Sequence, residues 1–316
     1  MKIKRFELER YFAKYEFSVK YLLSSSDCDG LKQAEVLSWA DSETKKLWED
    51  LSLGYTESLG LPILRQEITK LYKDVSENDI ITIIPEEGIF ISLNSILDKG
   101  DHIICTWPCY QSLYQIAESI GCEVSKWAPD EQEEWKFNPN FLEQNIKPNT
   151  KLLIINFPHN PTGHLPSKED FLKIVDFSRK HNLYLFSDEM YRFLEFDAST
   201  QLPSACEVYE KAISLFGMSK TFGLAGVRLG WLVIRDKELH KQIAAFKDYT
   251  TICGSAPSEI LSLIALRAKD RIIEKHLKRI KRNLTHLDDF FKKNEHLFSW
   301  VRPTAGTIGF PKLLTD

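Results

Sequence analysis

Apolar residues follow two alternating rhythms through the middle of the chain. Strands are predicted at "DIITII" (79–84), "DHIICTW" (101–107) and "CEVSKW" (122–127), and at the nearly unbroken apolar run "KLLIINF" (151–157). "LYLFSDEMY" (183–191), "KAISLFGMS" (211–219) and "GVRLGWLVIRD" (226–236) continue the series. Between them, apolar positions three and four apart predict helices over 88–99, 110–121, 138–146 and 167–182. The last of these opens on Ser167 and two acids and closes on basic residues, as the helix dipole favours. Such βα repeats predict an α/β fold, a mostly parallel sheet sandwiched by helices. Strands with both faces covered need no polar alternation. Ligands bind such sheets at the carboxyl ends of the strands.

After residue 236 the rhythm turns helical, over 237–249 and one long stretch at 258–294. Two short strand-like pieces, "FSWVRP" and "TIGFP", then close the chain. The expected division is an amino-terminal arm (1–47), a large ligand-binding domain (48–250) and a small α+β domain (251–316).

A formal net charge of −4 gives no electrostatic case for nucleic acid or an anionic membrane. The six cysteines form no C-x-x-C pair and no zinc spacing with histidine, and are expected to be buried, reduced thiols. The opening "MKIKRFELER" has no apolar leader, and no run approaches membrane-spanning length. A soluble cytoplasmic protein is expected.

Four strand ends carry unusual polar residues. "TWPCY" ends in Tyr110, "NFPHNPTGHLP" holds Asn160 between prolines, and "SDEMY" places Asp188 after an apolar run. "GMSKTFGLAGVR" presents Lys220 among small residues, followed by Arg228. With "GYTESLGLPILRQEI" upstream, these motifs resemble, in order and spacing, the fold-type-I pyridoxal-phosphate enzymes of the class I/II aminotransferase group. The resemblance runs from about residue 50 to the end.

It implies pyridoxal 5'-phosphate as cofactor, an electron sink that the protein must hold and protonate. Lys220 would form the Schiff base and then shuttle protons. Asp188 would pair with the pyridine nitrogen, and Tyr191 and Asn160 would hydrogen-bond the phenolic oxygen. Tyr110 would stack on the ring. Arg228 suits the phosphate bidentately, and Ser219 is a second phosphate candidate. Tyr55 resembles the tyrosine that reaches the phosphate of a neighbouring subunit, which implies a homodimer with shared active sites. Taken alone, Asn160 reads equally as a turn residue, and Tyr55 and Tyr110 as structural aromatics.

Two departures stand out. The phosphate helix begins "IIPEEGIF", with Glu86 and Glu87 where the family has small or hydroxyl residues. The backbone amides of Glu87 and Gly88 are still expected to meet the phosphate. Both carboxylates are expected to point away as helix-terminal charges; the alternative is that one enters the substrate pocket and favours a cationic side chain. Asp27 and Glu16 of the arm are expected as solvated carboxylates, or else as partners of a basic substrate group. The second departure is length. Relatives continue past "PTAGTIGFP" to an arginine that binds the substrate carboxylate; no residue here takes that role, and slow turnover is the corresponding expectation. The expected function is amino-group transfer between an amino acid and a keto acid through a Lys220 Schiff base. The alternatives are another pyridoxal-phosphate reaction (lyase, cyclase or oxidase) on a basic amino acid, or a cofactor-binding protein without turnover.

Overall fold

The computed structural model describes residues 2–314. Seven strands form one sheet: β1 (Ile80–Ile83), β2 (His102–Thr106), β3 (Glu123–Trp127), β4 (Thr150–Asn156), β5 (Tyr184–Asp188), β6 (Ala212–Gly217) and β7 (Gly230–Ile234). Their order is β1-β7-β6-β5-β4-β2-β3, and only β7 runs antiparallel to its neighbours. The helices are α1 (Glu7–Tyr15), α2 (Gln33–Leu37), α3 (Ser42–Glu49), α4 (Pro62–Thr69), α5 (Pro85–Ile96) and α6 (Ser112–Ile120). They continue as α7 (Asn140–Asn145), α8 (Lys168–Lys180), α9 (Ala205–Val208), α10 (Lys237–Lys247), α11 (Ala256–Arg267) and α12 (Lys269–Lys293).

Successive residues of the inner strands enter different cores, which is why those strands read as apolar runs. Ile103 and Cys105 pack with α5, α6 and α10, whereas Ile104 packs with α7 and α8. A third cluster joins Ile80, Trp231 and Val233 to α4 and α11.

Gly217 of β6 pairs with Gly230 of β7, and Pro85 at the start of α5 lies on that pair. A Cβ at Gly230 would sit 2.6 Å from the Phe216 carbonyl oxygen and 2.8 Å from Pro85 Cγ. This close approach holds the amino end of α5 beside the loop that carries Lys220. Gly230→Ala is expected to destabilise the fold by about 1–3 kcal/mol through overpacking. Thermal denaturation checks it; an unchanged midpoint would show that the strand pair yields freely.

Three boundaries differ from the sequence pattern. The helix after β1 begins at Pro85, because proline suits a first helical turn. The long helical stretch breaks at Ala268, the residue between α11 and α12. "TIGFP" is not a strand: Thr307 Oγ1 turns to the arm and donates to Ser26 O (2.6 Å). The small sheet instead pairs β8 (Phe298–Ser299) with β9 (Lys312–Leu313).

The arm crosses the top of the sheet. Phe6 packs on Tyr110 with ring centroids 5.1 Å apart, and Leu31 N–H donates to Gly223 O (3.0 Å). Gly223 has φ +63°, and a Cβ there would lie 2.8 Å from Asp29 O, so only glycine lets the arm pass. All six cysteines are free thiols. Among the described residues no helix is long and apolar enough to cross a membrane.

Candidate active site

The carboxyl ends of β4, β5 and β6 open on a cleft of about 340 Å³, roofed by α1 and residues 25–27 of the arm. Asp188, Asn160, Tyr191, Ser219, Lys220, Arg228 and Tyr110 all line it. Residues spread over more than a hundred positions thus meet because each ends a strand or lies in the loop that follows.

Asp188 is the last residue of β5 and is 6% exposed. The Met190 N–H donates to its Oδ1 (3.1 Å). Burial pushes its carboxyl up to about 7; Glu189 and Glu86 add to the rise, against the Met190 N–H and Lys220. A buried carboxylate with this little support favours a cationic hydrogen-bond donor.

Lys220 Nζ donates to Ser26 Oγ (2.8 Å) and forms an ion pair with Asp27. Burial opposes the charge on Lys220, but Tyr191, Asp27 and Asp188 outweigh it and hold the amine above the usual lysine range. Only a neutral amine attacks a carbonyl. Asp27→Asn is therefore expected to speed capture of pyridoxal phosphate by the apoprotein near neutral pH, about tenfold for each unit by which the lysine falls. Stopped-flow absorbance measures it; an unchanged or slower rate would show that Asp27 does not restrain the amine.

Asn160 Nδ2 donates to Tyr191 Oη (3.4 Å), so the two sequence candidates share one hydrogen bond. Asn156 ties their loop in place: its Oδ1 accepts from Asn160 N–H (2.8 Å) and its Nδ2 donates to Asp188 O (3.1 Å). Asn156 and Ser26 were not among the sequence candidates. A lone amide closing the apolar run of β4 was the signal for the first. Ser26 had none, because its partners lie far away in sequence.

Arg228 follows a short turn and directs Nη1 to Ala225 O (3.0 Å), beside the cleft. At the amino end of α5 two expectations are corrected. Gly88 N–H donates to Ile84 O (2.8 Å), within the helix, so it is not open to a ligand. Pro85 at the first position has no N–H, which leaves Glu86 and Glu87 to supply amides. Glu86 does not point away: its side chain lines the cleft and accepts a hydrogen bond from Ser112 Oγ. Its neighbour is turned 100° around the helix. Glu87 accepts instead from Thr251 N–H (3.2 Å) and Thr251 Oγ1 (2.8 Å).

Tyr110 Oη donates to Glu9 Oε1 of α1 (3.2 Å). Glu16 and Asp27 both line the cleft, and Asp27 is engaged by Lys220 rather than solvated alone. Tyr55 is 90% exposed and does not line the cleft of its own chain.

The model of the family "Aminotransferase class I and II" matches residues 18–313. A probable aspartate aminotransferase of Methanocaldococcus jannaschii is 27% identical, over 86% of this chain and 77% of its own length. An aspartate aminotransferase of Pyrococcus horikoshii is 30% identical over 68% of this chain and 56% of its own length. A solved pyridoxal-phosphate-dependent aminotransferase of Streptococcus suis superposes with a TM-score of 0.92 at 29% identity, over 100% of this chain and 84% of that one. With the family pattern spanning nearly all of its residues, the chain belongs to the class I and II aminotransferases.

Proposed function

We propose that Lys220, Asp188, Tyr191, Asn160 and Arg228 are the working groups of this pyridoxal-phosphate-dependent aminotransferase. Family membership carries the reaction class and the cofactor. The roles of individual residues rest on the cleft. Its donor set fits the cofactor: a buried carboxylate, one amine, a guanidinium, and a paired amide and phenol.

Asp188 would face the pyridine nitrogen and keep it protonated. Tyr191 and Asn160 would hydrogen-bond the phenolic oxygen, and the Tyr110 ring would cover the ring face. Arg228, Ser219 and the first-turn amides of Glu86 and Glu87 would hold the phosphate. Lys220 would hold the cofactor covalently and, once released by substrate, move the proton at the substrate Cα. When bound, the cofactor supplies the electron sink for charge developing at that carbon.

The observation that carries this reading is that the one lysine and the buried Asp188 share one cleft at the strand ends. Adding an amino acid is expected to change the bound-cofactor spectrum, and a keto acid to restore it. A spectrum unmoved by any amino acid would refute transamination. Aspartate and aromatic amino acids, for which relatives are named, are the first to try.

The working form is a homodimer, with Tyr55 serving the partner's cleft; its exposure supports this. Sedimentation should give a dimer at micromolar concentration, and a cofactor-loaded monomer would overturn it. The free thiols suit the reducing cytoplasm.

A further inference from the structure

The cleft holds more carboxylate than amino-group transfer uses. Asp188 has its assigned partner, yet Glu9, Glu16, Asp27 and Glu86 line the same space. The only cations among the lining residues are Lys220 and Arg228, and both have roles at the cofactor. Among the described residues Arg228 forms no ion pair with Glu86; its Nη1 donates to Ala225 O, and its charge acts on Glu86 only from a distance.

Glu86 is the most specific of the four. Ser112 Oγ donates to its Oε1, while Oε2 is shut off from solvent and has no partner. A carboxylate held by a single donor is under-compensated, and a cation brought into the cleft beside it offsets that deficit. Burial, with help from Glu9, pushes the Glu86 carboxyl above its usual range, while Ser112, Tyr110 and Arg228 pull it down. An arriving cation would add to the downward pull.

The arm gives an independent sign of what fits. Lys220 Nζ, a primary ammonium, is seated there by the Asp27 carboxylate and Ser26 Oγ. Once Lys220 engages the cofactor, that seat lacks its cation while keeping both acceptors.

We infer that Glu86, assisted by Asp27, selects amino acids whose side chain ends in a cation, an ammonium or a guanidinium. The inference rests on the aminotransferase reading of the cleft. A carboxylate side chain would meet like charge at Glu86 and Asp27 together. A charge-assisted hydrogen bond in a desolvated site is large enough for about a 10–100-fold preference.

The test is calorimetric titration of the holoenzyme with L-lysine, L-norleucine and L-glutamate, with the cofactor spectrum recorded alongside. Norleucine is lysine without its terminal ammonium. The expected result is lysine binding at least about tenfold tighter than norleucine, with glutamate weakest. Glu86→Gln should bring the lysine-to-norleucine ratio to within about threefold, and Asp27→Asn should lower it by a smaller factor. If Glu86→Gln fails to fold, Asp27→Asn and the wild-type ratio still decide. Equal binding of lysine and norleucine, a preference for glutamate, or a ratio unmoved in the folded variants would overturn the inference. A spectrum that responds to norleucine without any lysine preference sinks selectivity alone. A spectrum unmoved by every amino acid sinks the aminotransferase reading, while the calorimetric ratio still judges Glu86.

Discussion

Lys220→Ala is expected to abolish covalent attachment of the cofactor and to lower turnover by about 10³-fold or more. Lys220 is the only lysine lining the cleft, and the other cation there, Arg228, carries a guanidinium rather than the primary amine that covalent attachment requires. No neighbour can therefore substitute in either of the two proposed steps. The fold should survive. What is lost is a partly buried ion pair to Asp27 and a hydrogen bond to Ser26 Oγ, together about 1–3 kcal/mol. Borohydride reduction of the wild-type holoenzyme followed by peptide mapping should find the label on Lys220, and the variant should bind cofactor reversibly. A label on any other lysine would overturn the assignment. So would a variant whose turnover falls less than tenfold.

The sheet was legible because most of its strands are buried on both faces; the edge strand β3, with Glu123 and Lys126 exposed, is the exception. Runs such as "KLLIIN" have no polar alternation to be misread, and the longer helices between them show their apolar spacing, whereas the four-residue α9 is too short to show one. Boundaries were less legible. Apolar spacing alone passes over Pro85 as the first residue of α5, a start marked by proline's fit to a first helical turn rather than by periodicity. "TIGFP" looks like a strand but is diverted by Thr307 binding the Ser26 carbonyl, a contact that spans 281 positions. Local pattern carries no information about such pairs.

The site divides along the same line. Lys220 and Asp188 stand out because small or apolar neighbours make a charged residue at a strand end conspicuous, whereas Tyr191 and Asn160 were singled out by the family's motifs. Orientation is not written in the sequence. Glu86 and Glu87 are adjacent and chemically identical, yet one lines the cleft and the other accepts from Thr251. The 100° step of the helix separates them, and its absolute rotation is set by packing. The arm shows the same limit: Asp27 reads as an ordinary surface acid until the fold lays it against Lys220.

Asp188→Ala should separate activity from stability. An unprotonated pyridine nitrogen withdraws electrons poorly, so single-turnover rates with a good substrate should fall about 10³-fold, about 4 kcal/mol of transition-state stabilisation. Asp188→Asn keeps the shape and the acceptor for Met190 N–H but not the charge. It should fall comparably if charge is what matters. Stability should move the other way. In the apoprotein the Asp188 carboxyl is pushed up to about 7 by burial, so the folded state binds its proton more tightly than the unfolded chain does. Its contribution to stability is fully present at low pH and declines as pH rises from about 4 to about 7. The alanine variant lacks that titration. Its apo denaturation midpoint should therefore gain on wild type as pH increases across that window, offset by about 1 kcal/mol for the unpaired Met190 N–H. A rate loss under tenfold would remove Asp188 from the pyridine nitrogen. A midpoint difference that stays flat with pH would mean that its carboxyl is not held in the protonated form.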